Sequence, residues 1–328
     1  NSQINTNWQD SDYSRTPFYI ACCKGHIEIV KLLLNDGRID INKEVTPLWI
    51  TCENGHIEIA KLLVNDNRVD VNKALNNGQT PLYRACFFGH TEIVKLLLNN
   101  DRIDINKANN DDNQTPFWIA CESGHIGVVI LLVNDNRVDI NKEDNNGWTP
   151  FYLVCHNGYI GIVKLLLNDK RTDINKSRND GITPFYIACH NGHIEIVKLL
   201  LNNERIDINK SKNDGSTPFY IACERGHIEI VKYLLSCGRE IDINKTDGDG
   251  KTVLVRIKDK GKKIIIELIE SFLKNQNETR TKLRKELNLS GYIYLFILLF
   301  IYLFYYFIYL FYYFIILLFY LFIYLFIY

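Results

Sequence analysis

Apolar and polar positions follow a long-period pattern along this chain. Residues 181–202, GITPFYIACHNGHIEIVKLLLN, hold two apolar runs separated by a polar turn, and near copies recur from Thr16 to Thr217. In the first run Thr183 suits a helix N-cap, and Pro184 suits the first helical position, where a missing N–H costs nothing. A first helix is predicted from Pro184 to about His190, ended by the turn signal Asn191-Gly192. A second helix is predicted from about His193 to Leu201, with Ile194, Val197, Leu200 and Leu201 on its apolar face. Glu195 and Lys198 then lie three apart on its wet face. The polar run from Asn202 to Gly215 reads as an extended link through Ile206-Asp207-Ile208-Asn209, with a tight turn at Asn213-Asp214-Gly215.

Thr-Pro opens each unit, at Thr16, Thr46, Thr80, Thr115, Thr149, Thr183 and Thr217, and Thr252 opens a degenerate eighth. The spacings are 30, 34, 35, 34, 34, 34 and 35 residues. Self-similarity at this period indicates a solenoid, in which each unit buries its apolar faces against its neighbours.

The recurring TPFYIAC, NGHIEIVKLLLN and DIN resemble the ankyrin repeat, whose usual form has Thr-Pro-Leu-His, a small-residue pair, Gly-His, an apolar helix and a closing Asp-Val-Asn. The match covers roughly residues 12–273. It implies an all-α solenoid of stacked helix-turn-helix units with short hairpin fingers, and a non-enzymatic scaffold that binds a partner protein on its concave surface. Two features depart from the pattern. The His after Thr-Pro-Leu is replaced by Tyr19, Trp49, Tyr83, Trp118, Tyr152, Tyr186 and Tyr220, which puts in doubt the hydrogen bonds that imidazole makes in the family. The link from helix to finger also carries about one extra residue, as in Asn168 to Asn175.

Composition narrows the function classes. Lys plus Arg and Asp plus Glu are equal at 38 each, so net charge gives no case for a general nucleic-acid binder. Seven of the nine cysteines, Cys22, Cys52, Cys86, Cys121, Cys155, Cys189 and Cys223, recur at one repeat position. A buried row of small hydrophobes in a reducing, cytosolic compartment is the expectation. The chain has no methionine, which suggests a start inside a longer reading frame. Residues 1–11 read as a polar lead or the end of an earlier unit, since Ile4-Asn5 resembles Ile41-Asn42.

Individual units differ. Only Lys43, Glu44 and Val45 separate Asn42 from Thr46, so a gap in the row of fingers is expected there. The third unit carries Arg84 in place of Ile or Leu, and Phe87-Phe88 where others are mostly polar. The fourth has Gly127 and Ile130 in place of Glu and Lys, which reads as a lateral contact patch or as drift. The fifth has Tyr159 for the recurring His. The eighth, with a helix from Lys262 to about Leu273, reads as a C-terminal cap.

Residues 274–291 read as a basic, solvated connector. Residues 292–328 contain only Tyr, Ile, Leu and Phe. This apolar tail is nearly twice the ~20 residues that span a bilayer, and either a tilted single helix or a two-span re-entry fits its length. Two origins stand side by side: a membrane anchor with the repeats on the cytosolic side, or translation through an A/T-rich tract, since all four residue types have codons built from A and T alone.

Cys and His four apart, as in Cys52 to His56, have a spacing that zinc sites use, yet the pair spans a helix end and a turn. No metal, cofactor or small-molecule substrate is expected. His-Ile-Glu at His193 to Glu195 lacks the Pro-Cys-x-x-Cys partner of a deaminase. The sequons at Asn113, Asn277 and Asn288 read as chance. His156 and His190 read either as solvated polar residues or as partner contacts.

The resemblance carries family contact positions onto Asn76, Asn77, Gln79, Phe87 and Phe88 in the third unit, and Asp111, Asp112, Gln114, Glu122 and Ser123 in the fourth. It carries them onto Asn145, Asn146, Trp148, His156 and Asn157 in the fifth, and Asn179, Asp180, Ile182, His190 and Asn191 in the sixth. Phe87, Phe88 and Trp148 are the expected anchors, because aromatics carry a large share of interface energy. Against that, Phe87 and Phe88 also suit a seam between repeats. Besides the protein-binding scaffold, two alternatives stand: an adaptor tethered by its tail, and the recruiting piece of a larger protein.

Overall fold

A computed structural model describes residues 15–42, 46–258 and 260–327, with side chains at 290–298, 319, 320 and 323–327 left aside. The polar lead 1–11 and the short link at Lys43–Val45 lie outside the described residues. Seven helix pairs follow one another: α1 (Pro17–Lys24) and α2 (Ile27–Leu34), α3 (Pro47–Asn54) and α4 (Ile57–Asn65), α5 (Pro81–Phe88) and α6 (Thr91–Leu98), α7 (Pro116–Glu122) and α8 (Ile126–Val133). Then come α9 (Pro150–Asn157) and α10 (Ile160–Asn168), α11 (Pro184–Asn191) and α12 (Ile194–Leu201), α13 (Pro218–Arg225) and α14 (Ile228–Ser236). The first helix of each pair packs on the first helix of the next, and the second on the second, so two layers enclose one continuous core.

The Thr-Pro signals work as read. The hydroxyls of Thr16, Thr80, Thr115, Thr149, Thr183 and Thr217 accept from the N–H three residues on, at 3.0–3.1 Å. Thr46 departs: its side chain makes no cap bond, and its Oγ1 is buried without a partner among the described residues. That is the unit with the shortened link. At the other end of α5, Gly89 stands at φ 75°, and a Cβ there would lie 2.6 Å from His125 Nδ1 of the next unit. Both the left-handed turn and the close approach of the neighbour require glycine.

Between the layers, Phe18, Leu48, Leu82, Phe117, Phe151, Phe185 and Phe219 fill the position after Thr-Pro and are fully buried, each worth about 1.5–3 kcal/mol. The seven recurring cysteines form a buried, unbridged column. One detail of the second helix needs correction: Ile196, Val197, Leu200 and Leu201 are buried in α12, while Ile194 is only half-buried. The buried arc is rotated toward α11, so it takes in the middle isoleucine and leaves the first at the edge.

Side chains also bind successive units along the links. The Asn that closes each unit reaches forward: Asn72 donates to the Arg102 carbonyl at 2.6 Å and accepts from Asp104 N–H at 2.7 Å. Asn42, Asn106, Asn141 and Asn175 do the same. The lengthened link supplies an arginine that reaches back to the last turn of the preceding second helix. Arg68 donates to Leu34 O, Arg102 to Val64 O, Arg137 to Leu98 O, Arg171 to Val133 O and Arg205 to Leu167 O. A cation at a helix C-terminus satisfies orphan carbonyls and complements the dipole.

At the fingers, backbone bonds such as Lys212 N–H to Ser216 O at 2.9 Å close each tip. No strand forms among the described residues; Thr246 and Thr252 make an isolated bridge. The eighth unit comprises α15 (Val253–Lys258) and α16 (Lys263–Lys274), with Ile265, Ile269 and Phe272 buried and Glu267 and Glu270 exposed.

The stretch read as a solvated connector is instead largely α17 (Gln276–Glu286), capped by Asn275 and packed on α14 and α16. Leu283 and Thr279 are buried in that contact, Arg280 lies over the Phe272 ring at 5.2 Å, and Arg284 donates to Ser236 O at 2.9 Å. Its polar composition hid this: two buried side chains four apart are enough to seat it. Beyond it, α18 (Ser290–Ile327) is one unbroken 38-residue helix.

Candidate functional site

The first helices and the finger tips share one face of the stack, and the tyrosines that stand in place of the expected histidine tie them together. Three of them reach the finger of the next unit by hydrogen bonds: Tyr83 donates to Gln114 Oε1 at 3.0 Å, Tyr220 to Asp247 Oδ2 at 2.6 Å, and Tyr186 meets Ser216 Oγ at 3.0 Å. Trp118 Nε1 donates to Trp148 O at 2.7 Å, and the Tyr152 hydroxyl lies against Arg178. Trp49 Nε1 is buried without a partner among the described residues, in the unit that lacks a complete link.

The histidine of Gly-His has its own structural task. Its Nε2 donates to a carbonyl of the preceding unit: His56 to Cys23, His90 to Glu53, His125 to Phe87, His193 to His156 and His227 to His190, at 2.8–3.0 Å. Each ring is therefore held against the neighbouring turn, while the cysteine four residues earlier points into the core. Tyr159 breaks the series, and Lys262 covers Gly226 in the cap.

Two aromatic groups stand on this face. In the third unit Arg84 pairs with Glu53 at 2.6 Å and lies over the rings of Trp49, Phe87 and Phe88, at 4.7, 5.3 and 4.9 Å. Phe87 and Phe88 meet edge to face and remain 38% and 41% exposed. In the fifth unit Trp148 packs on Tyr152 at 5.1 Å and His156 at 5.4 Å, beneath the Arg178 guanidinium at 5.3 Å. Between the two groups lie Asp111 and Asp112, exposed, and Glu122, half-buried. Burial raises the Glu122 carboxyl pKa, and the Asp144 and Asp112 carboxylates raise it further.

The remaining positions divide into occupied and open. Asn145 is spent on the preceding finger, its side chain donating to Asp111 O and its N–H to Asp112 O, while Asn146 is exposed. Asn76 is exposed; it and Asn77 offer their carbonyls to Asn110, and Asn179 and Asp180 offer theirs to Asn213. Gln79 accepts from Arg84, and Asp180 also pairs with Arg178. Ser123 and Ile182 are half-buried. His156 and His190 donate from Nδ1 to Asn157 and Asn191 Oδ1, whose amides donate to Glu122 O and His156 O.

Arg84 was marked in the sequence as a departure, but its partner Glu53 sits one unit away, and Arg178 carried no signal at all.

Comparison with known families fits this geometry. The model described as "Ankyrin repeats (3 copies)" matches residues 38–109, 102–178 and 170–247, and the single "Ankyrin repeat" model matches 13–45. No curated protein matches the chain. The repeated helix pairs, their Thr-Pro and Gly-His signals and these matches over most of the sequence establish that the chain belongs to the ankyrin repeat family.

Proposed function

We propose that this protein is a non-enzymatic scaffold that captures a partner protein on the concave face formed by its first helices and fingers, centred on the third to fifth units. Ankyrin repeats are a protein-interaction module, which is the coarse statement the family supports. The observation that supports the finer one is the pair Phe87 and Phe88, over a third exposed at the end of a helix whose counterparts end in polar residues. A well-packed ring pair backed by Arg84 loses little freedom on binding. With the acidic group Asp111, Asp112 and Glu122 beside it, the fitting partner segment carries apolar side chains next to a lysine or arginine.

Panning a displayed random-peptide library on the full chain in detergent tests this. Selected peptides should combine a basic residue with apolar neighbours and bind at least tenfold more weakly to Phe87→Ser/Phe88→Ser. Equal binding to a variant with unchanged thermal stability removes the reading.

A second reading concerns α18. Leu299–Leu318 is long and apolar enough to cross a membrane, with mean hydropathy 2.0. The helix is continuous, about 57 Å at 1.5 Å per residue, against a hydrocarbon core of about 30 Å. A tilted single span that tethers the array fits this better than a re-entrant pair. Residues 274–328 fused to a soluble reporter should be retained on membranes through alkaline extraction; a reporter that washes off rejects tethering.

A further inference from the structure

We infer that α18 pairs with α18 of a second copy of this chain along a stripe of tyrosine hydroxyls. The inference rests on the tethering reading and names its partner. Within Leu299–Leu318 the side chains that carry a polar atom are Tyr302, Tyr305, Tyr306, Tyr309, Tyr312 and Tyr313; every other residue is Phe, Ile or Leu. At about 100° per residue the six fall within about 120° of the helix circumference. From 302 to 313 no other residue type occupies that arc.

The stripe also has a register. FYYFIYL at 304–310 is followed by FYYFIIL at 311–317, so the tyrosines recur with the three-four spacing of a heptad. A seam of that period stays in contact when two helices wind around each other in the left-handed sense. All six rings are exposed, and Tyr309 and Tyr313 lie 4.9 Å apart as neighbours on the stripe.

Depth makes the stripe consequential. Tyrosines belong at the membrane–water interface, where ring and hydroxyl meet different media. Here they fill the middle of the span, and hydrocarbon offers a hydroxyl nothing to bond. A phenol both donates and accepts, so the stripe is complementary to itself and not to an apolar helix. In every copy the array leads into the N-terminal end of α18, so the two helices run parallel and a two-fold axis relates them. The opposite arc, all Phe, Ile and Leu, is left to lipid.

The test is resonance energy transfer between donor- and acceptor-labelled full chains in phosphatidylcholine vesicles, followed as lipid is added. Wild-type chains should show transfer that falls on dilution. Replacing all six tyrosines with Phe keeps ring size and aromaticity and removes only the hydroxyls, which makes the span more apolar, and should weaken pairing tenfold or more with alkali-resistant insertion intact. Phe300→Leu/Phe304→Leu/Phe307→Leu/Phe311→Leu, on the other arc, should pair within twofold of wild type. Equal transfer in the Tyr→Phe variant overturns the inference, as does equal loss in the Phe→Leu control. Wild-type chains that insert without transfer overturn pairing alone, whereas chains that fail to insert overturn tethering as well.

Discussion

Asn106 and Asp139, one repeat apart, are joined by a hydrogen bond from the Asp139 N–H to Asn106 Oδ1 at 2.9 Å, and the same amide donates from Nδ2 to Arg137 O at 2.8 Å. One side chain thus reads two backbone groups of the next unit. The closing Asn of the repeat is a coupling element between repeats rather than a local turn residue. Asn106→Ala should lower stability by about 1–2 kcal/mol, the worth of two solvent-accessible hydrogen bonds, seen as a fall in the urea midpoint followed by circular dichroism. An unchanged midpoint would show that the bonds to water are equivalent.

Tyr159 interrupts the series of histidines that donate to the preceding unit. Glu122 O, which a histidine there would reach, already accepts from Asn157 at 3.3 Å. One unit later, His156 O accepts from both Asn191 and His193, so a carbonyl in this position has room for two donors. Tyr159→His should therefore stabilise the array by about 0.5–1.5 kcal/mol. A lowered melting temperature would mean that the Tyr159 ring contributes more by packing on Gly124 than the missing bond is worth.

How much of this was legible in the sequence depends on how far apart the partners lie. Thr183, Pro184 and Gly192 act within a few residues, so the helix pair could be read directly, and the period of Thr-Pro extended it to the whole array. The cysteine row followed from recurrence alone. Ile196 rather than Ile194 is buried because the direction of the neighbouring helix, not periodicity, sets the rotation of α12. The asparagine and arginine couplings join residues about 30 to 40 positions apart, and nothing local announces them. α17 escaped notice because Leu283 is its main buried anchor among charged neighbours. On the finger face, the aromatic departures were visible one by one, but their grouping around Arg84 and Arg178 required the fold.

The cysteine column makes a chemical prediction. Burial pushes the Cys22 thiol up to about 12 and holds the other six higher still. A maleimide pulse at pH 7.5 should modify half-buried Cys23 first and half-buried Cys237 more slowly, since burial raises the Cys237 thiol too and its Sγ donates to Leu234 O. The seven column thiols should react only after unfolding, because the thiolate is the reactive form. Mass spectrometry of the digest locates the label. Fast labelling of Cys86 or Cys121 in the folded chain would contradict a closed core.

The scaffold account is tested most directly by hydrogen–deuterium exchange of the full chain with and without a library-selected peptide. Protection should appear at residues 76–88, 110–123 and 145–157, on the first helices and fingers, and disappear in Phe87→Ser/Phe88→Ser. Protection centred on the second helices α6, α8 and α10, surviving that substitution, would contradict it.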